Sequence, residues 1–345
     1  MQRNELITII IPVYNGQSHI RRCLKSVMAQ TYKPFEVVLV DDGSTDATGE
    51  IVESFSKAFG AIKVFHTEHK GVSYARNYGI SMAEGKYISF VDADDEIDPG
   101  FLTHMYNVIK ESGAEIAVCG LHHVNSAKAC ASVVGNAQLK PENKTKIFVT
   151  DGKGFLRRME EPLRYEITTV CWNKLYDKKV FENKNYPEGR IYEDSAMMHE
   201  LLYPIKRLAE TEAKLYFYHT ETVGITRSAY KRSKLDEVLY ARKRMIFFYR
   251  KSELELYVLA RKQYGISLLK HYYLLCRYRV GNAELLAGFR KQQKKYLKGF
   301  AWKKNLPFRV RCLFDLGVYA PFLCGAVIVV WDCWLERNYR IRRSE

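Results

Sequence analysis

The chain has 345 residues, 47% of them hydrophobic, and a formal net charge of +15 at pH 7. That length and apolar content suit one large domain or two ordinary ones and exclude a disordered or low-complexity chain. The eight cysteines are scattered without a C-x-x-C pair, which excludes a disulfide framework and reads as reduced thiols.

The charge is unevenly placed. Residues 1–122 carry 11 Lys+Arg against 16 Asp+Glu, residues 123–227 carry 17 against 14, and residues 228–345 carry 26 against 9. The basic character belongs to the last third, and a local field of one sign points to a polyanionic neighbour.

Leu6 to Val13 is β-branched and nearly continuous, as in a strand buried on both faces. It runs straight into Tyr14-Asn15-Gly16 with no small-residue cleavage site, so it does not read as a secretory signal. Ser18 is expected to cap a helix carrying Ile20, Cys23, Leu24, Val27 and Met28 at helical spacing. Phe35 to Val40 is a second buried strand, ending in Asp41-Asp42-Gly43-Ser44-Thr45-Asp46, with Asp46 capping a helix that reaches Phe59. A third strand covers Ile62 to Phe65, a helix Val72 to Met82, and a fourth strand Tyr87 to Val91. Pro99 opens the next helix, and Ile116 to Cys119 is a fifth strand. Strands alternating with helices five times predict an α/β fold with a Rossmann-like, mostly parallel, doubly wound sheet.

In such sheets ligands bind beyond the carboxyl ends of the strands. Tyr14-Asn15, Asp41-Asp42, His66-Thr67-Glu68 and Asp92-Ala93-Asp94-Asp95 all follow strands, so four strand ends deliver polar groups to one rim. Asp-Asp-Gly-Ser is also ordinary turn chemistry. Three carboxylates within four residues repel one another and resist desolvation, and a divalent cation with oxygen ligands relieves both. Asp92 and Asp94 are therefore expected to hold a nucleoside diphosphate through a metal. Asp95 either aids that metal or begins the turn to Pro99. His199 and His219 are open as further ligands, although a lone histidine is more often structural.

At this point the residues resemble a known family. Ile9-Ile10-Ile11-Pro12-Val13-Tyr14-Asn15, Val38-Leu39-Val40-Asp41-Asp42-Gly43-Ser44-Thr45-Asp46, Ala75-Arg76-Asn77-Tyr78-Gly79 and Phe90-Val91-Asp92-Ala93-Asp94-Asp95 are similar to the signature of family 2 glycosyltransferases with the GT-A fold. Trp172-Asn173-Lys174-Leu175-Tyr176 resembles a strand, and Tyr192-Glu193-Asp194 the catalytic acidic motif, of members acting on bacterial surface polysaccharides such as capsule, exopolysaccharide or lipopolysaccharide. The resemblance covers about residues 6–120 closely and weakens toward 230. His69-Lys70-Gly71 stands where Asn-x-Gly is frequent, and Thr222-Val223-Gly224-Ile225-Thr226 where Gly-Ser-Ile-Thr is common.

The resemblance implies that Asp41 contacts the base of a nucleotide-sugar donor, with Pro12, Tyr14 and Asn15 around base and ribose. Asp42 and Ala93 belong to the same donor rim. Asp92 would face the ribose or a metal-bound water, and Asp94 would ligate the metal on the diphosphate. An all-oxygen set favours Mn²⁺ or Mg²⁺ over Zn²⁺. Arg76 or Arg227 would add positive charge at the leaving group. Asp194 is the expected general base, with Glu193 second to it. The Glu193-Asp194 pair also reads as a helix N-terminus, where acids are favoured by the dipole. One base and no second nucleophile favour a single displacement with inversion, and family habit favours UDP as the nucleotide.

The expected domains are a catalytic GT-A domain over 1–230 (nucleotide half 1–120, acceptor half 121–230) and a basic helical region over 231–345. Residues 126–146 read as a loop or hairpin crossing over the sheet, Leu215 to His219 as a late strand lining the site, and Thr220 to Arg232 as a lid over the diphosphate. From Lys234, helical spacing places Leu235, Val238, Leu239, Arg242, Met245, Ile246 and Tyr249 on one apolar-basic face.

Leu316 to Trp331 is uncharged but, at 16 residues, shorter than the ~20 of a spanning helix, and it contains Gly317, Pro321 and Gly325. Lys303, Lys304, Arg309 and Arg311 precede it and Arg337, Arg340, Arg342 and Arg343 follow it, which argues against crossing. Trp302, Tyr319, Trp331, Trp334 and Tyr339 suit an interface. The segment 302–335 is thus expected to be a monotopic helix on an anionic membrane, the alternative being a buried core helix.

These features predict a peripheral enzyme on the cytoplasmic side of the cell membrane, acting on a lipid-linked glycan acceptor. A non-catalytic nucleotide-sugar-binding scaffold is the rival, opposed by the intact Asp94 and Asp194. Nucleic acid is not expected as a partner, because the tail has no recognisable nucleic-acid motif. A processive synthase is not expected either, without a bundle of spanning helices or a Gln-x-x-Arg-Trp motif. Homo-oligomerisation stays open.

Overall fold

The computed structural model describes residues 4–124, 146–160, 164–220, 229–299, 303–304 and 306–341. Arg227, the Thr222–Thr226 segment and nearly all of the 126–146 loop lie outside the described residues. By contacts the chain divides into two compact units, residues 1–227 and 228–345.

The first unit is built on strands β1 (Ile7–Val13), β2 (Phe35–Asp41), β3 (Ile62–His66), β4 (Tyr87–Phe90), β5 (Glu96–Ile97), β6 (Ile116–Val124), β7 (Ile147–Thr150), β8 (Lys174–Asp177) and β9 (Leu208–His219). They form one sheet in the order β3-β2-β1-β4-β8-β6-β9-β5, with β7 beside β9. β1 pairs in parallel with β2 and β4, and β2 with β3. β8 runs antiparallel to both β4 and β6, so β6 and its parallel partner β9 point the same way as β4. Six strands therefore share one direction, and their carboxyl ends lie on one rim. Every residue of β1, β2 and β4 is buried, as their continuous apolar runs require in a two-sided sheet.

Helices α1 (Ile20–Met28), α2 (Thr48–Ala58), α3 (Val72–Met82), α4 (Phe101–Ser112), α5 (Gly152–Arg157), α6 (Arg164–Thr169) and α7 (Glu193–Leu202) complete this unit. α1 buries Ile20, Cys23, Leu24 and Val27, the face its spacing predicts. Ser18 does not cap it: the N-cap is His19, and the Gly16 carbonyl accepts from the His19 and Ile20 N–H groups, while Ser18 Oγ bonds His19 Nδ1 at 2.9 Å. The N-cap of α2 is Ala47, not Asp46; Asp46, one residue earlier, accepts from the Thr48 N–H at 3.0 Å. α4 begins at Phe101, two residues past Pro99, and ends on Gly113 in the left-handed region at φ 65°.

α3 lies unusually close to β1. A Cβ added at Gly79 would fall 2.4 Å from Ile10 Cγ2. That approach carries Arg76, one turn earlier, over the sheet's rim.

The second unit is helical: α8 (Asp236–Arg250), α9 (Leu254–Arg277), α10 (Ala283–Tyr296), α11 (Phe308–Tyr319) and α12 (Pro321–Ile341). The inner face of α8 is Val238, Tyr240, Ala241, Arg244, Met245 and Phe248, rotated from the expected one; Arg242 and Tyr249 are exposed. Val238 and Met245 belong to both faces, and the buried rings of Tyr240 and Phe248 take the places expected for Arg242 and Tyr249. The stretch expected as one surface helix is two, broken at Ala320–Pro321, where proline cannot extend the preceding helix. Phe314, Val318, Cys324 and Ile328 pack with Leu269, Leu297 and Leu306 in a core. A Cβ at Gly325 would meet the Leu269 carbonyl at 2.3 Å, so this glycine lets α12 touch the α9 backbone. Among the described residues no helix is long and apolar enough to cross a membrane.

Gly79→Ala is expected to destabilise the protein by about 1–3 kcal/mol through overpacking against Ile10. A urea midpoint equal to that of the wild type would show that α3 can lift off β1 without cost.

Candidate active site

The loops after β1 and β2 are zipped together at the rim. Asn15 N–H donates to Ser44 Oγ at 2.9 Å, and Asn15 Oδ1 accepts from Thr45 N–H at 2.8 Å. Gly16 N–H reaches Thr48 Oγ1 and Gln17 N–H reaches Asp46 Oδ2, at 2.8 and 3.1 Å. Asn15 takes φ 49°, a left-handed conformation asparagine tolerates. Pro12 is buried beneath this loop, in register with Val40.

Asp41 and Asp42 are both buried, but their work differs. Asp41 accepts from Ser44 N–H at 3.1 Å and pairs with His66 Nδ1 at 2.9 Å. His66 Nε2 lies 3.0 Å from Glu53; burial disfavours the imidazolium, but these two carboxylates more than offset it and raise its pKa. Asp42 accepts from the Lys70 and Gly71 N–H groups, each at 2.8 Å, and pairs with His69. It thus fastens the loop before α3 to the end of β2. Gly43, at φ 73°, makes room for this: a Cβ there would meet the His69 nitrogen at 2.7 Å. Tyr14, half exposed, stacks on His69 with ring centroids 3.9 Å apart. A flat ring at this point suits the face of a nucleobase.

Arg76 is 3% exposed and stands among three carboxylates. One guanidinium nitrogen donates to Asp92 at 2.9 Å; the other donates to Glu193 and, at 3.3 Å, to Asp194. Asn77 beside it donates to the Tyr186 carbonyl at 2.9 Å and accepts from the Tyr186 N–H at 2.8 Å. The Ala75-Arg76-Asn77 motif on α3 therefore gathers the end of β4, the 186 segment and the N-terminus of α7. Glu193 and Asp194 both lie in the first turn of α7, so the helix-terminus reading and the cleft reading hold together. Asp194 Oδ2 also accepts from the Cys171 N–H at 3.2 Å.

The electrostatics follow from crowding. Burial opposes the Arg76 charge, yet the surrounding carboxylates hold its pKa well above the usual value. Burial, then Asp94 and Glu193, raise the Asp92 carboxyl against the pull of Arg76. Asp194 is pushed up to about 7, chiefly by burial and further by Glu193 and Asp92, with Arg76 opposing. A carboxylate with that pKa is suited to accept a proton near neutrality.

In the turn after β4, Asp92 and Asp94 keep partial exposure, whereas Ala93 and Asp95 are buried. Arg22 pins the turn by donating to the Asp94 carbonyl at 2.7 Å, with Glu96 3.3 Å away. Asp95 is fully buried. It accepts from Tyr216 Oη and from the His219 N–H, both at 2.8 Å, so it ties the turn to β9 instead of reaching outward. His219 Nε2 lies 2.8 Å from Glu96, and His199 is buried on α7, 3.9 Å from Glu200. Among the described residues no three His, Cys, Asp or Glu side chains are placed to hold a metal. Asp92 and Asp94 form an oxygen-only pair, which fits a Mg²⁺-like cation that keeps waters and takes further ligands from substrate phosphates.

Tyr216 lies on the strand expected to line the site, but its role there is not disclosed by the motifs. Its hydroxyl accepts from the Asp92 N–H at 3.1 Å while donating to Asp95, and so joins both halves of the turn to β9. The period-two spacing of Tyr216 and Tyr218 on one strand face is the available signal.

The model of glycosyl transferase family 2 matches residues 8–183. The chain belongs to glycosyl transferase family 2. It is 32% identical to Glycosyltransferase GlyA of Streptococcus pneumoniae over 227 residues, which covers 65% of this chain and 32% of GlyA. It is 29% identical to the uncharacterized glycosyltransferase EpsJ of Bacillus subtilis over 233 residues, 66% of this chain and 64% of EpsJ. The chain thus spans under two thirds of either relative. S. aureus TarS residues 1–349, solved in complex with UDP-GlcNAc, superposes with a TM-score of 0.63 at 20% identity, over 97% of this chain and 91% of that one. The mannosyltransferase PcManGT of Pyrobaculum calidifontis, in complex with GDP-Man and Mn2+, gives 0.50 at 16% identity, over 96% and 88%. The fold is GT-A.

Arg76→Met would leave three partly buried carboxylates without their cation. The expected loss is about 3–5 kcal/mol in chemical denaturation, and a loss below 1 kcal/mol would mean that water already screens the cluster.

Proposed function

We propose that the chain transfers a hexosyl or N-acetylhexosaminyl unit from a UDP-sugar to a hydroxyl of a lipid-linked glycan, with inversion, in bacterial surface-polysaccharide assembly. The observation that carries this reading is the Arg76 cluster, which sets a donor-rim carboxylate, Asp92, beside a carboxylate titrating near neutrality, Asp194. UDP as nucleotide is supported by the fold shared with TarS, which was solved with UDP-GlcNAc.

In this reading Tyr14 offers its ring to the base, Asp41 its carboxylate, and the Asn15 loop frames the ribose. Asp94, with Asp92, would hold Mg²⁺ or Mn²⁺, which when bound supplies positive charge for the departing diphosphate. Asp194 takes the proton of the acceptor hydroxyl. That oxygen forms its bond to the anomeric carbon as the bond to the diphosphate oxygen breaks, and the diphosphate leaves with the electron pair. Arg76 holds Asp194 in place and favours its ionised form. Glu193, bonded to the same guanidinium, raises the basicity of Asp194.

The second unit is proposed to dock on the anionic cytoplasmic face of the cell membrane, where a lipid-linked hydroxyl is presented. On α12, Phe322, Leu323, Val327, Val330 and Trp331 are exposed, and on α11 Phe308, Leu316 and Tyr319. With Cys324 and Ile328 packed inward, α12 is apolar on both faces, which a purely solvated helix is not. The excess of 26 Lys+Arg over 9 Asp+Glu in 228–345 complements anionic lipid.

Asp94→Asn is expected to abolish the Mn²⁺-dependent part of UDP binding in calorimetry, and Asp194→Asn to keep UDP affinity while lowering turnover of a UDP-sugar at least 100-fold. Full turnover in the second variant would place the base elsewhere. Leu323→Glu/Val327→Glu is expected to release the protein from sedimenting vesicles containing phosphatidylglycerol. Equal sedimentation of wild type and variant would remove the docking face.

A further inference from the structure

β6 and β9 run with β4, so their carboxyl ends open onto the same rim as the donor loops. The antiparallel β8 begins at that rim, and Trp172 stands just before it. Three rings gather there. Trp172 stacks on Tyr216 at 4.3 Å and on Tyr218 at 5.3 Å, with interplanar angles of 23° and 12°. His123, at the end of β6, meets the Tyr218 ring edge-on at 5.4 Å. Its Nε2 lies 3.2 Å from a carboxylate oxygen of Glu166 on α6, and both of these side chains keep solvent exposure, 19% and 38%.

This group is joined to the chemistry at two points. The Tyr216 hydroxyl holds the Asp92 N–H, and the N–H of Cys171, next to Trp172, holds Asp194. The turn that carries Trp172 is rigid. The buried Lys174 ammonium donates to the Ile167 and Val170 carbonyls, each at 2.6 Å, and to Asn173 Oδ1 at 2.7 Å. Nothing in the donor reading uses Tyr218, His123 or Glu166.

A pyranose ring has an apolar face of C–H groups and a periphery of hydroxyls. It is recognised by an aromatic surface with a few convergent polar groups at the edge. We propose that Tyr218, backed by Trp172, and the His123–Glu166 pair form the subsite for the acceptor's terminal pyranose. Tyr218 meets the C–H face of that sugar, and Glu166 with His123 takes two of its hydroxyls. The ring is thereby held beside Asp194, so that one further hydroxyl reaches the base. The subsite rests on the glycosyl-transfer reading, since it is the place of the second substrate.

The test is saturation-transfer NMR of the full chain with UDP, Mg²⁺ and a panel of methyl pyranosides, with UDP affinity measured in parallel by calorimetry. The wild type is expected to give transfer to the C–H protons of at least one pyranoside. Tyr218→Ala and Glu166→Gln are each expected to reduce it at least fivefold, with UDP affinity within twofold of wild type. Tyr218→Phe, which keeps the ring, is expected to restore most of the signal. UDP binding by the wild type with no pyranoside signal, or variants that match the wild type, overturns the subsite alone. Failure of the wild type to bind UDP removes the donor reading and the subsite with it.

Discussion

A buried arginine among several carboxylates is stable only if each group is held where the others need it. Arg76 meets that constraint by drawing on elements distant in sequence: Asp92 after β4, and Glu193 and Asp194 at the start of α7. Removing any one leaves charge uncompensated away from water. The same arrangement places Asp92 and Asp194, the proposed proton acceptor, within one network. Gly79, which seats α3 on β1, and Asn77, which fastens the 186 segment, are what bring that guanidinium to its place.

Sheet topology brings further strand ends to the same rim. The insertion of β8 between β4 and β6 lets β6 and β9 continue the direction of β1 to β4. Their ends then share that rim. Asp95 and Tyr216 lock this junction from within, with the Asp95 carboxyl buried and pushed well above its usual pKa, chiefly by burial. A buried acid hydrogen-bonded at both carboxyl oxygens rigidifies the turn that carries Asp92 and Asp94.

Much of this was legible in the residues. The continuous β-branched runs of β1 and β2 and the helical spacing of α1 and α3 mark themselves, because burial on both sheet faces and one helix face leaves periodic traces. The convergence of strand ends followed from alternation alone. The division of labour within each acidic pair did not. Asp41 and Asp42 look alike in sequence, yet Asp42 is spent on the Lys70 and Gly71 N–H groups. Asp95 was open as a companion of Asp94 or as the start of the turn to Pro99, and burial turned its carboxyl toward β9. Those outcomes depend on partners 28 to 124 residues away, which no local pattern records. The Ser18 cap failed for a local reason: the Gly16 carbonyl already served the first turn of α1. Pro321 stands in plain view, yet the stretch reads as one helix from the residues, and both the break between α11 and α12 and the dual packing of α12 needed the structure.

The central claim is that Asp194 is the proton acceptor and that its crowded surroundings hold its pKa near neutrality. The direct measurement is the pH dependence of kcat/KM for a UDP-sugar in the wild type and in Glu193→Gln. The account predicts an acidic limb near pH 7 in the wild type, moved to lower pH when the neighbouring charge is removed, because Glu193 raises the Asp194 value. A rate that stays flat from pH 8 to pH 5, or a limb that does not move in Glu193→Gln, would contradict it.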